Sequence, residues 1–214
     1  MTQELRFIDR EDAGRQLAQK LLSYKDTDAI IYALPRGGVV TAVAIARALY
    51  APLDLIIPRK IGHPSNPEYA IGAVAEDGHF TANPTEIATV DSQWLRSEIE
   101  HQQAEAKRRR ETYLAGASPI DISGKTAIIV DDGIATGLTM KCAINELKHR
   151  NPKKIIVAVP VASAGSLWEI SALVDKVVCL STPEFMGAIG AFYESFPQVK
   201  DDEVITLMQS LTSQ

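Results

Sequence analysis

Val130-Asp131-Asp132-Gly133-Ile134-Ala135-Thr136-Gly137-Leu138-Thr139 is the stretch of this sequence that decides the fold. It joins the apolar run at residues 126–130, typical of a buried strand, to residues 139–150, whose apolar positions recur at helical spacing. In open α/β sheets, ligands bind at the carboxyl ends of the strands, where a loop of small residues lets backbone N–H groups converge on a phosphate. The stretch therefore predicts an α/β fold with a phosphate site in this loop.

Two adjacent acids, Asp131 and Asp132, precede the loop, although negative charges repel a bound phosphate. Carboxylates accept hydrogen bonds, so these two side chains suit the hydroxyl groups of a sugar. A phosphate next to vicinal hydroxyls describes ribose 5-phosphate. The alternative is an ordinary strand end with acidic capping residues, which the full ten-residue string disfavours. Because we expect both acids at an exposed strand end, their replacement by Asn should weaken ligand binding and leave folding near normal.

Outward from this stretch, short apolar runs alternate with segments of helical spacing. Such runs are typical of parallel strands buried on both faces. The pattern predicts a doubly wound, mostly parallel sheet of about six strands, flanked by helices, in one domain over residues 1–214. The predicted strands are 29–34, 53–57, 70–75, 126–130, 155–161 and 176–180, and the predicted helices are 11–22, 39–50, 139–150 and 166–173.

Two segments depart from this alternation. Residues 83–119 contain a strongly charged stretch from Ser92 to Leu114, with Asp91 as N-cap and Gly116 as stop, which predicts a long, mostly exposed helical insertion. This helix either projects from the core or packs on a partner chain. Residues 181–214, with irregularly spaced aromatic residues, predict a small hood over one end of the sheet that could stack a flat base, join the core or contact another subunit. Together the two segments favour a homodimer.

Composition narrows the classes of protein. A hydrophobic share of 46% permits a full core, and a net charge of −5 provides no global basic surface for nucleic acid. The longest apolar runs, such as 155–161, are far shorter than the ~20 residues of a membrane helix, and no secretory signal begins the chain. Cys142 and Cys179 lie in no metal or redox spacing, so we expect two buried reduced thiols. These features predict a cytoplasmic protein without a nucleic-acid or membrane partner.

Two other predicted strands end in residues that suit a diphosphate. In Leu34-Pro35-Arg36-Gly37-Gly38, the glycines let the backbone wrap around an anion. In Pro58-Arg59-Lys60, the arginine offers a bidentate fork and the lysine a mobile charge. The alternatives are an ordinary helix start and a solvated basic pair. Residues 63–69, polar and rich in proline, predict a connection that closes over the site as a lid.

The decisive stretch closely resembles the phosphoribosyl diphosphate signature of type I phosphoribosyltransferases. The order of the motifs resembles a bacterial subgroup of that family over nearly the whole chain. The resemblance implies that Asp131 and Asp132 contact the ribose hydroxyls, and that the 5-phosphate lies on Ala135, Thr136, Gly137, Leu138 and Thr139. It implies a diphosphate loop at 34–39, with a cis peptide expected at Arg36–Gly37. Gly133 and Ala135 depart from the usual residues, and Ala135 removes one hydroxyl that would hold phosphate.

The resemblance further implies an enzyme that transfers ribose 5-phosphate from phosphoribosyl diphosphate to a nucleobase or other nitrogenous acceptor, releasing diphosphate. Mg²⁺ would be held chiefly by the substrate, with Asp131 and Asp132 as candidate ligands. The expected catalytic residues are Asp131, Asp132, Arg36 and Lys60, and Gly37, Gly38 and Arg59 join the loop in holding the donor. The alternative is a non-catalytic sensor of phosphoribosyl diphosphate or a nucleotide. No GxGxxG follows the first strand and no GxSxG occurs, which disfavours dinucleotide oxidoreductases and serine hydrolases.

Overall fold

The computed structural model describes residues 6–212, apart from the side chain of residue 212. In chain order, the helices and strands are α1 (Arg10–Lys20), β1 (Ile30–Ala33), α2 (Gly37–Leu49), β2 (Leu53–Leu55), β3 (Arg59–His63), β4 (Asn66–Val74), β5 (Phe80–Ala82), α3 (Pro84–Ile87), α4 (Ser92–Leu114), β6 (Thr126–Val130), α5 (Leu138–Lys148), β7 (Lys154–Val161), α6 (Ala164–Ser171), β8 (Lys176–Ser181) and α7 (Asp201–Thr212).

The central sheet has five strands in the order β2-β1-β6-β7-β8, and every pairing in it is parallel. Alternate residues of a strand point to opposite faces, so Ile31 packs towards α1, α2, α4 and α7, whereas Tyr32 packs towards α5 and α6. Both faces are covered, which explains the continuous apolar runs of β1 and β6. The predicted α/β fold, a mostly parallel sheet flanked by helices, is confirmed.

The predicted sixth strand of this sheet is wrong. Residues 70–75 fall largely in β4, which lies in a separate antiparallel sheet of order β3-β4-β5. Between β3 and β4 only Pro64 and Ser65 remain, and a parallel connection needs a dozen residues or more. The short link therefore forces a hairpin, and residues 63–69 form its turn and flanking strand ends. Whether this hairpin closes over the site as a lid stays a prediction.

The long charged helix has the bounds that the sequence predicts. Asp91 caps α4, and its carboxylate accepts hydrogen bonds from the amides of Gln93 and Trp94 at 3.0 and 2.8 Å. After α4 the backbone turns left-handed at Ala115 and Gly116. The helix does not project as expected, because it contacts α7 and buries Ala106, Arg110 and Tyr113 in its second half.

The C-terminal segment contains a helix that the sequence analysis did not predict. α7 packs against α2 and α4, and its buried Val204 and Met208 lie four residues apart, a helical spacing that was available in the sequence. The preceding residues form the predicted hood, in which Phe192 and Tyr193 pack with Phe7 from the other end of the chain. Within residues 6–212, no helix combines the length and apolar character needed to cross a bilayer.

Candidate functional site

A cavity of about 240 Å³ lies at the carboxyl ends of β1 and β6, where α2 and α5 begin. It brings together predicted residues from two distant parts of the sequence. Its lining includes Lys60 and most of the decisive stretch, namely Asp131, Asp132, Ala135, Thr136, Gly137 and Thr139. This is the edge of a parallel sheet at which ligands of open α/β folds bind.

The loop at residues 135–139 presents unused hydrogen-bond donors to this cavity. Ala135 and Thr136 are exposed, and within residues 6–212 the amides of residues 135–139 donate to no protein acceptor. Gly137, with φ at 76°, takes the left-handed conformation that favours glycine and caps α5. Converging free amides at a helix N-terminus form an anion site. The hydroxyls of Thr136 and Thr139 likewise donate to no group in the described part of the chain, so they add two donors.

Contacts with β7 and α6 hold this loop in place. The amide of Ile134 donates to the carbonyl of Val161 at 2.9 Å, and the amide of Ser163 donates to the carbonyl of Ile134 at 3.1 Å. The hydroxyls of Ser163 and Ser166 both donate to the carbonyl of Ala135, at 3.0 and 2.6 Å. These two hydrogen bonds tie the loop to the start of α6. The two serines were missed in the sequence, although Ser163 is a standard helix cap before α6.

The two acids differ in their surroundings. Nε of Arg10 donates to Oδ2 of Asp132 at 2.7 Å, and the two side chains are only 8% and 13% exposed. Asp132 is therefore part of a largely buried ion pair, which corrects the expectation that both acids lie at an exposed strand end. Asp131 forms no ion pair within residues 6–212. Burial, together with the neighbouring charge of Asp132, raises the pKa of Asp131 well above its ordinary value.

The glycine pair at the start of α2 lies against these acids. A Cβ atom on Gly37 would overlap with Oδ2 of Asp132, and one on Gly38 would lie 3.0 Å from Cα of Asp131. Only glycine lets α2 begin so close to the end of β6. The cis peptide joins Pro35 and Arg36, one residue before the expected Arg36–Gly37 bond, because Gly37 is already the first residue of α2. The two motifs that the sequence singled out thus meet in space.

The predicted arginines lie outside the cavity lining. Nη1 of Arg36 lies 3.3 Å from Asp201 of α7, whose carboxylate also accepts a 2.7 Å hydrogen bond from the hydroxyl of Tyr113. Nε of Arg59 donates to Gln102 of α4 at 3.0 Å. The cavity lining also omits Gly37, Gly38 and Leu138, which lie beside it in α2 and α5. Lys60 is exposed and lines the cavity, so of the three predicted cations the structure brings only this one to it.

Residues near both ends of the chain complete the site, and sequence patterns did not indicate them. Arg10 is 122 positions from Asp132, and Tyr193, whose hydroxyl donates to the carbonyl of Asp132 at 2.6 Å, is 61 positions away. Ile189 of the hood lines the cavity. No spacing rule links positions so far apart. Within residues 6–212, no group of three or more His, Cys, Asp or Glu side chains could hold a metal ion by itself.

Comparisons with known proteins identify the family of this chain. The family model described as "Phosphoribosyl transferase domain" matches residues 8–194. Two Mycobacterium tuberculosis proteins, each named "Putative phosphoribosyl transferase", are 39% identical over 204 residues, which make up 94% of this chain and 46% of theirs. The chain thus spans about half the length of the curated relatives it matches.

Solved structures show the same fold. TT1426 from Thermus thermophilus superposes with a TM-score of 0.82 at 36% identity, covering 97% of this chain and 99% of that one. AQ2163 from Aquifex aeolicus has a TM-score of 0.52 at 12% identity and covers 85% and 78% of the two chains. The second likeness concerns the fold alone.

Proposed function

Because the chain belongs to the phosphoribosyl transferase family, we propose that it transfers ribose 5-phosphate from phosphoribosyl diphosphate to a nitrogenous acceptor, with release of diphosphate. One observation carries this proposal: the loop at residues 135–139 has free amides, and Asp131 and Asp132 lie beside it in the same cavity. Amides suit the 5-phosphate and carboxylates suit the ribose hydroxyls.

The residues of the cavity support a particular placement of the donor. The 5-phosphate accepts hydrogen bonds from the loop, and the ribose lies towards the two acids at the end of β6. The diphosphate then extends towards Lys60 and the start of α2, where Gly37 and Gly38 contribute backbone amides. Arg36 and Arg59 are bound to side chains of α7 and α4, so their predicted part in holding diphosphate stays a prediction.

Mg²⁺ is the proposed cofactor, and Asp131 fits it. Its carboxylate lines the cavity, offers hard oxygen ligands and forms no ion pair within the described residues. Because two acids make an incomplete ligand set, oxygens of the substrate and water would complete the coordination. When bound, the ion would neutralise negative charge on the diphosphate.

The protein contributes positioning and charge stabilisation. In the proposed reaction, the bond from ribose C1 to the diphosphate oxygen breaks and its electron pair leaves with the diphosphate. The lone pair of the acceptor nitrogen forms the new bond to C1, and the nitrogen proton passes to water. Asp131 and Asp132 hold the ribose while positive charge develops at C1, and Lys60 offsets charge on the leaving group.

Isothermal titration with phosphoribosyl diphosphate and Mg²⁺ tests the binding step. We expect saturable binding, and a folded protein that binds nothing at millimolar ligand would refute the proposal. Diphosphate release across a panel of purines, pyrimidines and simple amines then tests transfer and identifies the acceptor. Binding without release across that panel would favour the alternative, a non-catalytic sensor on the same fold.

We also propose a cytoplasmic homodimer. The ends of α2, α4 and α7 surround a groove of about 790 Å³, and Tyr50 beside it is 75% exposed, which supports an apolar contact between subunits. Both cysteines are free thiols, which fits a reducing compartment, although Cys179 is only half-buried. Sedimentation velocity at micromolar concentration would show a dimer if the proposed assembly is correct and a monomer otherwise.

A further inference from the structure

Three contacts hold Arg10 rigidly behind the site. Its Nε donates to Oδ2 of Asp132 and its Nη1 donates to the carbonyl of Pro197, both at 2.7 Å. The guanidinium carbon lies 3.6 Å from the ring centroid of Phe196, a cation–π geometry. With only 8% of its side chain exposed, Arg10 does not line the cavity, so it can act on a ligand only through Asp132.

Asp132 is held on its other sides as well. Its carbonyl accepts the hydroxyl of Tyr193 at 2.6 Å, and Gly37 packs against Oδ2. Within residues 6–212, Oδ1 accepts no hydrogen bond, and it is not among the buried oxygens that lack a partner. Oδ2 is thus engaged by Arg10, whereas Oδ1 accepts from no N–H group within residues 6–212, and the carboxyl of Asp131 is the close neighbour of this side chain.

We propose that Arg10 is a positioning residue: by engaging Oδ2 of Asp132, it aims Oδ1 of that carboxylate at a ribose hydroxyl. This inference rests on the proposed function. Without Arg10, the carboxylate of Asp132 can rotate, and it would lie next to Asp131 without the charge of its ion-pair partner. Within residues 6–212, no hydrogen bond or ion pair joins Arg10 to the loop at residues 135–139, so we expect Arg10 to act on the sugar and not on the phosphate.

Two probes separate an effect on sugar binding from an effect on phosphate binding. Ribose 5-phosphate has both a sugar and a phosphate group, whereas inorganic phosphate has no sugar. For Arg10→Gln, we expect the Kd for ribose 5-phosphate to rise about tenfold, which corresponds to the loss of one charge-assisted hydrogen bond. The Kd for inorganic phosphate should change less than about twofold. Arg15→Gln is the matched control, because Arg15 lies on the same helix, is exposed and, within the described residues, pairs only with Glu11 and Asp12. The selectivity of this control, which is the Kd for inorganic phosphate divided by the Kd for ribose 5-phosphate, should equal that of the wild type.

A double-mutant cycle shows whether Arg10 acts through Asp132. In the Asp132→Asn background, Arg10→Gln should change the Kd for ribose 5-phosphate by less than about twofold. Arg10→Lys keeps the charge but cannot reach both Asp132 and Pro197, so it should restore part of the selectivity. A residue with a merely structural role would alter the affinity for both probes together and would show no such rescue.

Tyr193→Phe serves if Arg10→Gln fails to fold, since it removes only the hydroxyl that fixes the main chain of Asp132. It should reduce selectivity for ribose 5-phosphate in the same direction. The inference is overturned if Arg10→Gln binds both probes like the wild type, if it loses both equally, or if it is unfolded and Tyr193→Phe has wild-type selectivity. A wild-type protein that binds neither probe would instead overturn the proposed function, and the inference with it.

Discussion

At the residue scale, Asp131 and Asp132 are adjacent in sequence but carry different energetic roles. Asp132 shares a largely buried ion pair with Arg10, whereas the one N–H group within residues 6–212 that donates to the carboxylate of Asp131 is the amide of Asp132, at 2.8 Å. Sequence patterns treat the two acids as equivalent, because the charge that distinguishes them comes from the other end of the chain.

Replacing each acid separately should reveal this difference. Asp132→Asn should lower the free energy of unfolding by about 3 kcal/mol, because Arg10 is left buried without its anion. Asp131→Asn should not lower it, because the substitution removes a like charge beside Asp132. Urea unfolding at pH 7 measures both. Equal losses in the two variants would contradict the distinction drawn from the structure.

Gly37 allows a close approach that any side chain would prevent. Gly37→Ala should displace the carboxylate of Asp132, destabilise the protein by about 1–3 kcal/mol and weaken binding of ribose 5-phosphate. Gly165→Ala is the control, because a Cβ atom there meets nothing within 4 Å in α6. Thermal unfolding and titration with ribose 5-phosphate test both variants. A Gly37→Ala protein with the stability and affinity of the wild type would show that α2 can shift freely.

At the element scale, buried charges fasten α4 to the sheets. Arg110 of α4 donates to Asp54 of β2 at 2.8 Å and to the carbonyl of Leu55 at 2.6 Å, and its Nε lies 3.4 Å from Glu76. These contacts explain why a helix of strongly charged composition packs on the core. Composition indicates exposure correctly for most of α4, but it cannot show which one arginine finds buried partners.

Arg110→Met should therefore lower the free energy of unfolding by about 3–5 kcal/mol, because it leaves buried carboxylates unpaired. Arg108→Met on the same helix is the matched control, since Arg108 is exposed and pairs only with Glu105 in the part of the chain that the structure describes. Its unfolding midpoint in guanidinium chloride should equal that of the wild type. Similar losses in both variants would mean that the Arg110 contacts stabilise the fold no more than a surface pair does.

A third buried acid, Glu146, links α5 to this cluster and predicts a pH dependence. Burial, opposed in part by Arg150, raises the pKa of Glu146 from 4.5 to about 8. The folded state therefore holds this proton more tightly than the unfolded chain, so stability should fall by a few kcal/mol as pH rises from about 4.5 to about 8. Unfolding measured at pH 5, 6.5 and 8 should show a slope that Glu146→Gln reduces. The same slope in both proteins would assign the effect elsewhere.

At the scale of the whole molecule, the two ends of the chain meet behind the site. The amide of Phe7 donates to the carbonyl of Phe192 at 2.9 Å, and the amide of Glu194 donates to the carbonyl of Phe7 at 2.8 Å. The ion pair of Arg10 and the hydroxyl of Tyr193 therefore reach Asp132 only when both ends are docked. The binding site forms with the completed fold and is absent from the unfolded chain.

A ligand that binds only such a folded state should stabilise the whole protein. Ribose 5-phosphate at 100 times its Kd should raise the free energy of unfolding by about 2.7 kcal/mol, in a single cooperative transition. Differential scanning calorimetry with and without the ligand measures the shift. Ribose without phosphate is the control. An unchanged unfolding temperature at saturating ligand would mean that the site forms in the unfolded chain as well.

Local patterns in the sequence determined the parallel α/β fold, the glycine-containing loop after β6 and the bounds of α4, because strand runs, glycine turns and helix caps depend on residues close together in the chain. Tertiary structure alone decided that residues 70–75 leave the central sheet, that α7 covers α2 and α4, and that Arg10 holds Asp132. Those outcomes depend on side chains that are up to 122 positions apart and meet only after the chain has packed. Burial and pairing of charge are properties of that packing, so no local pattern contains them.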